Sequence, residues 1–140
     1  MGLDMYLDKN TYIFDSGSSL KITDDNGLIN SDRVKYIIEE MCYWHKANAI
    51  HNWFVENVQG GDDNCGEYYV SVVKLKELLN LVLKVLDNHN QAQQLLPTRS
   101  GFFFGSNEYD KYYFTKLERT RKALEIAINE NGDYYYHSSW

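Results

Sequence analysis

Apolar positions change their spacing along this chain, and each change predicts a different element. Met5-Tyr6-Leu7 and Tyr12-Ile13-Phe14 are short apolar runs. Asp8-Lys9-Asn10 lies between them and Asp15 to Ser19 follows, which predicts two strands separated by turns. Leu20 to Thr23 and Leu28-Ile29 bracket Asp24-Asp25-Asn26-Gly27. An Asn-Gly pair accepts positive φ at little cost, so a β-hairpin is expected there. Over residues 33–44 two periods compete. Val34, Tyr36, Ile38 and Cys42 recur at period two, while Val34, Ile37, Ile38 and Met41 fit a helical stripe, and the balance falls towards a strand.

From Lys46 the helical period takes over. Ala47, Ile50, Phe54 and Val58 share one face and Gly60-Gly61 stops the run, giving a helix of about three turns. Residues 60–66 form an acidic, turn-rich loop, and Glu67 to Val70 a short strand. Ser71 is placed to cap a helix with Leu75, Leu78, Leu79, Val82 and Leu86 on its apolar face, ending near Asn88. Leu96 to Gly101 is an irregular connection into Phe102-Phe103-Phe104. A further helix is expected from Ser106 as N-cap, with Tyr109, Tyr113, Leu117, Thr120, Leu124 and Ile128 on one side and Gly132 beyond its end. A strand from Asp133 closes the chain. The pattern predicts one α+β domain over residues 1–140, an antiparallel sheet packed against about three helices.

Charge narrows the partners. Fourteen basic against twenty acidic residues give a net charge of -6. That opposes non-specific binding to a nucleic acid polymer or an anionic membrane, both polyanions. The longest apolar-rich stretch, Val70 to Leu86, is broken by Lys74, Lys76, Glu77 and Lys84 and falls short of the roughly 20 apolar residues of a membrane span. The opening Met1 to Leu7 carries no basic segment followed by an apolar one, and position 6 is Tyr where N-myristoylation needs Ser or Thr. With only Cys42 and Cys65, both expected as free thiols, the chain reads as soluble and cytoplasmic.

The candidate chemistry lies in aromatic clumps among polar groups, drawn from twelve Tyr, six Phe and three Trp. Tyr and Trp give large rigid contact area with a polar handle, which suits a flat ligand or a partner surface. In the first clump, Trp44, His45, Lys46, Asn48, His51, Asn52 and Trp53, a Trp would stack on a base while Asn and His bond its edge. The bland alternative puts Trp44 and Trp53 in the core. On a helix beginning near His45, Asn48 and Asn52 share a face while His45 and His51 diverge, so the histidines are no metal pair. In the second, Arg99 and Ser100 sit in a turn able to hold phosphate or carboxylate, unless that run is simply a turn before a buried strand. In the third, Tyr134, Tyr136 and His137 belong to the last strand, where rings must point to both faces. Asp62, Asp63, Cys65, His51 and Glu67 are of metal-ligand type without a metal-site spacing, so no metal and no cofactor is expected. No nucleophile motif or carboxylate pair selects a catalytic residue.

Four segments carry a resemblance. Met1 to Leu7 (MGLDMYL), Tyr43 to Val55 (YWHKANAIHNWFV), Cys65 to Ser71 (CGEYYVS) and Leu95 to Gly105 (LLPTRSGFFFG) are together similar to a family of small proteins encoded by bacteriophages and prophages. The resemblance runs nearly end to end, and this chain has His45 where such proteins commonly carry Arg. It implies expression in an infected bacterial cytoplasm and an accessory role, often against host defence, without implying an activity. The leading expectation is therefore a protein that sequesters a nucleotide-like or phosphorylated small molecule. The alternatives are an inhibitor that docks on a host defence protein through an acidic, Tyr-rich surface, and a small hydrolase of a nucleotide signal; the sequence leaves room for a homo-oligomer.

Overall fold

A computed structural model describes residues 2–13, 24 and 26–140. It contains strands β1 (Asp4–Tyr12), β2 (Tyr36–His45), β3 (Tyr68–Val70) and β4 (Asp133–Ser139) and helices α1 (Asn48–Asn57), α2 (Val72–Asp87), α3 (Ala92–Leu95) and α4 (Lys111–Ala127). The strands form one antiparallel sheet in the order β2-β1-β4-β3, so the first and last strands of the chain pair at its centre. This is an α+β architecture, with three helices of two or more turns and a single-turn α3.

Strand alternation sorts the side chains into two faces. Met5, Leu7, Cys42, Trp44, Val70, Tyr134 and Tyr136 are buried in the same core as the apolar faces of α1, α2 and α4. Asp4, Tyr6, Asp8, Tyr43, His45, Tyr135 and His137 alternate with them and point the other way. A bulge keeps this division intact. Leu7 faces Cys42 but Asp8 faces Glu40, which leaves Met41 over and turns Glu40 outward; without the extra residue Glu40 would point to the core side.

Several expectations are corrected. Asp8-Lys9-Asn10 is no turn: β1 runs straight through it, because both its edges are paired and Lys9 Nζ reaches Glu130 at 2.7 Å. α1 begins at Asn48, since His45 still pairs with Asp4 in β2. α4 begins at Lys111 with Asp110 as its cap, the carboxylate accepting from the Tyr112 and Tyr113 amides, each at 3.0 Å; Ser106 Oγ instead accepts from the Glu108 amide in the preceding loop. Leu28-Ile29 is not a strand. The Leu28 and Ile29 amides donate to the Asp24 carboxylate, and the expected arm Leu20 to Thr23 lies outside the described residues. Phe102 to Phe104 is a turn in which Phe104 alone is buried.

α1 occupies the middle of the molecule. Asn48, Ala49, Ile50, His51, Trp53, Phe54 and Val55 are all buried, so the helix is enclosed on nearly every side. Phe54 stacks flat on Tyr136 of β4, ring centroids 3.9 Å apart. An enclosed helix must bond its polar side chains internally, and Asn48 and His51 do so. No helix of the described residues is long and apolar enough to cross a membrane.

Candidate functional site

The start of α1 opens into a cavity of about 170 Å³. Its walls are Lys46 to Ile50, Thr98, the Gly105-Ser106 turn, Glu108, and Asp110, Tyr112, Tyr113, Lys116 and Leu117 at the start of α4. Ala47 stands at the N-cap and offers no side-chain cap, and the first α1 backbone bond is made by the His51 amide to Ala47 O at 3.0 Å. The amides of Asn48, Ala49 and Ile50 are thus without helical carbonyl partners, and a helix start of this kind favours an anion.

Two lysines flank that helix start. Lys46 has φ 54°, a left-handed conformation uncommon for a residue with a Cβ, and bridges β2 to α1. Its side chain is packed against Gly105, where an added Cβ would come within 2.9 Å of Lys46 Cβ and where φ is itself +89°. Lys116 donates from Nζ to Lys46 O at 2.8 Å. Burial holds the Lys116 ammonium below its ordinary pKa, with Asp110 opposing and Lys46 adding to the effect. Two carboxylates belong to the same cavity. Asp110 is committed to capping α4, and Glu108 is exposed on the wall.

Beside the cavity lies a buried polar relay. The His51 ring has no exposed surface; its Nδ1 is 2.7 Å from the Tyr136 hydroxyl and its Nε2 is 2.9 Å from Asp63 Oδ2. Burial holds His51 below its ordinary value of 6.5 despite the bond to Asp63. A neutral imidazole satisfies both neighbours, accepting at Nδ1 from Tyr136 O–H and donating from Nε2 to Asp63. Asp63 is held in turn by Trp140 Nε1 at 3.0 Å and approached by the Arg99 guanidinium at 3.7 Å. Hydroxyl, imidazole and carboxylate in series is the order of an activated nucleophile. Here the Tyr136 hydroxyl is sealed in the core and burial pushes its pKa well above 10, so the relay ties β4, α1 and the Asp63 loop together.

The residues selected from sequence are therefore divided among several places. Lys46 and the backbone of Asn48 line the cavity. The Asn48 side chain is fully engaged: Nδ2 donates to Phe104 O and Ser106 O, and Oδ1 accepts from the Arg99 amide, which pins the loop to α1. His51, Asn52, Arg99 and Tyr136 belong to the relay, with Arg99 Nη1 on Asn52 Oδ1 at 3.3 Å, so its planar fork faces protein partners and not an open anion site. Ser100 is an exposed loop residue bonded by Asn107. Trp44 and Tyr134 are core residues at 1% exposure and present no face to a ligand. His45 and His137 lie on the far side of the sheet.

Lys116, Glu108, Asp110 and Tyr112 were missed. Lys116 has one sequence signal: it sits next to Leu117 and three residues after Tyr113, at the edge of the apolar stripe of α4, where a lysine is drawn partly inward. Among the described residues no group of three His, Cys, Asp or Glu is placed to hold a metal ion. Both cysteines are free, and burial pushes the Cys42 thiol up to about 12. Comparison of the chain with protein-family models, curated proteins and solved structures yields no match.

Proposed function

We propose that the protein binds and sequesters a small phosphorylated, nucleotide-like ligand, with its anionic group at the start of α1 between Lys46 and Lys116. The observation that carries this reading is the cavity itself: an uncapped helix start between two lysines, one of them in a left-handed backbone conformation of the kind that persists at ligand sites. Its volume, about 170 Å³, is close to the ~150 Å³ that accommodates a benzene-sized molecule, so a phosphate and its nearest atoms fit inside. The remainder of a nucleotide would extend past Tyr112, an exposed ring on the wall. Glu108 would disfavour a second phosphate there and suits an exocyclic amine. On the phage resemblance of the sequence motifs, the ligand would be a host defence signal removed by binding without turnover.

Titration calorimetry with AMP, inorganic phosphate and adenosine tests this. AMP and phosphate are expected to bind, and adenosine at least about tenfold more weakly than AMP, the equivalent of ~1.4 kcal/mol for the lost charge contacts. Lys46→Ala and Gly105→Ala should each weaken AMP by a similar factor, whereas Lys122→Ala, outside the cavity wall, should not. Equal affinity for AMP and adenosine, or no affinity for either, would contradict the proposal. AMP recovered with unchanged mass separates sequestration from hydrolysis.

A further inference from the structure

The sheet has a second face that no described element covers. Its rows follow from the strand register: His45 beside Asp4; Tyr43, Tyr6 and His137; Glu40, Asp8, Tyr135 and Tyr69; Ile38, Asn10 and Asp133; Tyr36 beside Tyr12. Tyr69, Tyr36 and Tyr12 are more than half exposed, as is Ile38. None of these outward positions is Lys or Arg, while Asp4, Asp8, Glu40 and Asp133 are acidic.

The upper rows are held in place. Tyr43 donates to Asp4 Oδ1 at 2.5 Å and His45 Nδ1 lies 2.9 Å from the same oxygen; His137 Nε2 is 2.9 Å from Asp8 Oδ2 and stacks on Tyr6 with centroids 4.8 Å apart. The bonds from Tyr43 and His45 hold the Asp4 carboxyl below its ordinary value, so it is charged at neutral pH. Rings already held by neighbours, as Tyr43 is by Asp4 and Tyr6 by His137, lose little side-chain freedom when they are covered.

Charge decides what covers it. Single-stranded nucleic acid also uses aromatic sheet faces, but it needs a positive track for its phosphates, and here phosphates would meet four carboxylates. A second copy would bring the same negative face. Arginine matches both features, since its guanidinium pairs with carboxylates and lies flat on aromatic rings.

We propose that this face is a docking surface for a basic, arginine-bearing protein segment, with guanidinium groups over the tyrosine rings and paired with the exposed Glu40 and Asp133. It lies across the sheet from the helices and the cavity, so it stands or falls independently of ligand binding.

The test uses the full chain and a fluorescent nona-arginine peptide, read by anisotropy at fixed ionic strength, with an oligo-dT strand as competitor class. Two variants remove the same number of charges: Glu40→Gln with Asp133→Asn and Tyr69→Ser on the face, and Glu77→Gln with Asp87→Asn on α2. The face variant is expected to bind the peptide at least about tenfold more weakly, with the α2 variant within about threefold of the parent. The single variant Tyr69→Ser, on a short edge strand, gives a folded reference if the triple variant melts early; it should also weaken the peptide measurably. Equal losses in both charge variants would reduce the effect to net charge and overturn the proposal. So would absence of peptide binding, oligo-dT binding as tightly as the peptide, or self-association through the face without peptide binding.

Discussion

Replacing His51 with alanine is expected to lower the unfolding free energy by about 2–5 kcal/mol, the sum of a buried hydrogen-bond partner removed and the cavity that the ring leaves. His51 bridges the Tyr136 hydroxyl to Asp63, and its ring fills space against Phe104. Alanine would take away that hydroxyl's acceptor at Nδ1 and open a cavity beside it. Tyr136→Phe should cost less, about 1–3 kcal/mol, because the ring stacked on Phe54 stays and only the donor to Nδ1 is lost. Urea denaturation at unchanged slope checks both values; a loss below ~1 kcal/mol for His51→Ala would show that the relay contributes little.

His51 also predicts a pH dependence with a definite sign. Burial depresses its folded-state pKa below the ordinary 6.5, so the unfolded chain takes up a proton before the folded one does. Stability should therefore fall as the pH drops below about 6.5 and should not change on this account above it. Asp4 and Asp24 are also depressed, and they remove stability only lower, in the carboxylate range. The difference in stability between the parent and His51→Gln, followed from pH 7.5 down to about 5, isolates the histidine; a flat difference would mean that its pKa is unperturbed.

The long elements were legible in the sequence because local pattern and burial agree in them. Ser71 caps α2 as expected, and Leu75, Leu78, Leu79 and Val82 are buried as expected, with Val85 completing the stripe and Leu86 only partly buried. The last strand starts at Asp133, as its alternation suggested. Expectations failed where tertiary pairing overrode local signals. Asp8-Lys9-Asn10 has turn composition, but a strand paired on both sides satisfies its backbone and Lys9 finds two glutamates across the sheet edge. The Met41 bulge was invisible because a one-residue register shift leaves no mark in composition. The site was less legible than the fold for a related reason. Residues close in sequence, Trp44, His45 and Lys46, go to different places: Trp44 to the core and His45 to the open sheet face, since a strand reverses direction at each residue, while Lys46, just past the strand end, borders the cavity with its stem packed over Gly105. The cavity needs α4 brought against α1, a contact that joins Lys46 to Lys116 across seventy positions of sequence.

Trp44 shows how that long-range contact is fixed, and its removal is the second large effect expected. The indole is 1% exposed, packs against Phe54, and donates from Nε1 to Thr120 Oγ1 at 2.8 Å; the Thr120 hydroxyl then donates to Lys116 O, also at 2.8 Å. One hydroxyl thereby accepts from β2 and donates to the turn of α4 that carries Lys116. Trp44→Ala should cost about 3–5 kcal/mol, and Thr120→Val about 1–3 kcal/mol, since it leaves the indole N–H buried without an acceptor. Trp44→Leu separates scaffold from ligand contact. As a core residue, leucine should lower the denaturation midpoint while AMP affinity per folded molecule stays within about threefold of the parent. A ring that stacked on the base would instead take ~1–3 kcal/mol of binding with it, a loss of roughly tenfold or more at unchanged fold content. Calorimetric affinity measured alongside the fraction folded decides between these, and a large affinity loss in a fully folded Trp44→Leu protein would place the indole in the binding site after all.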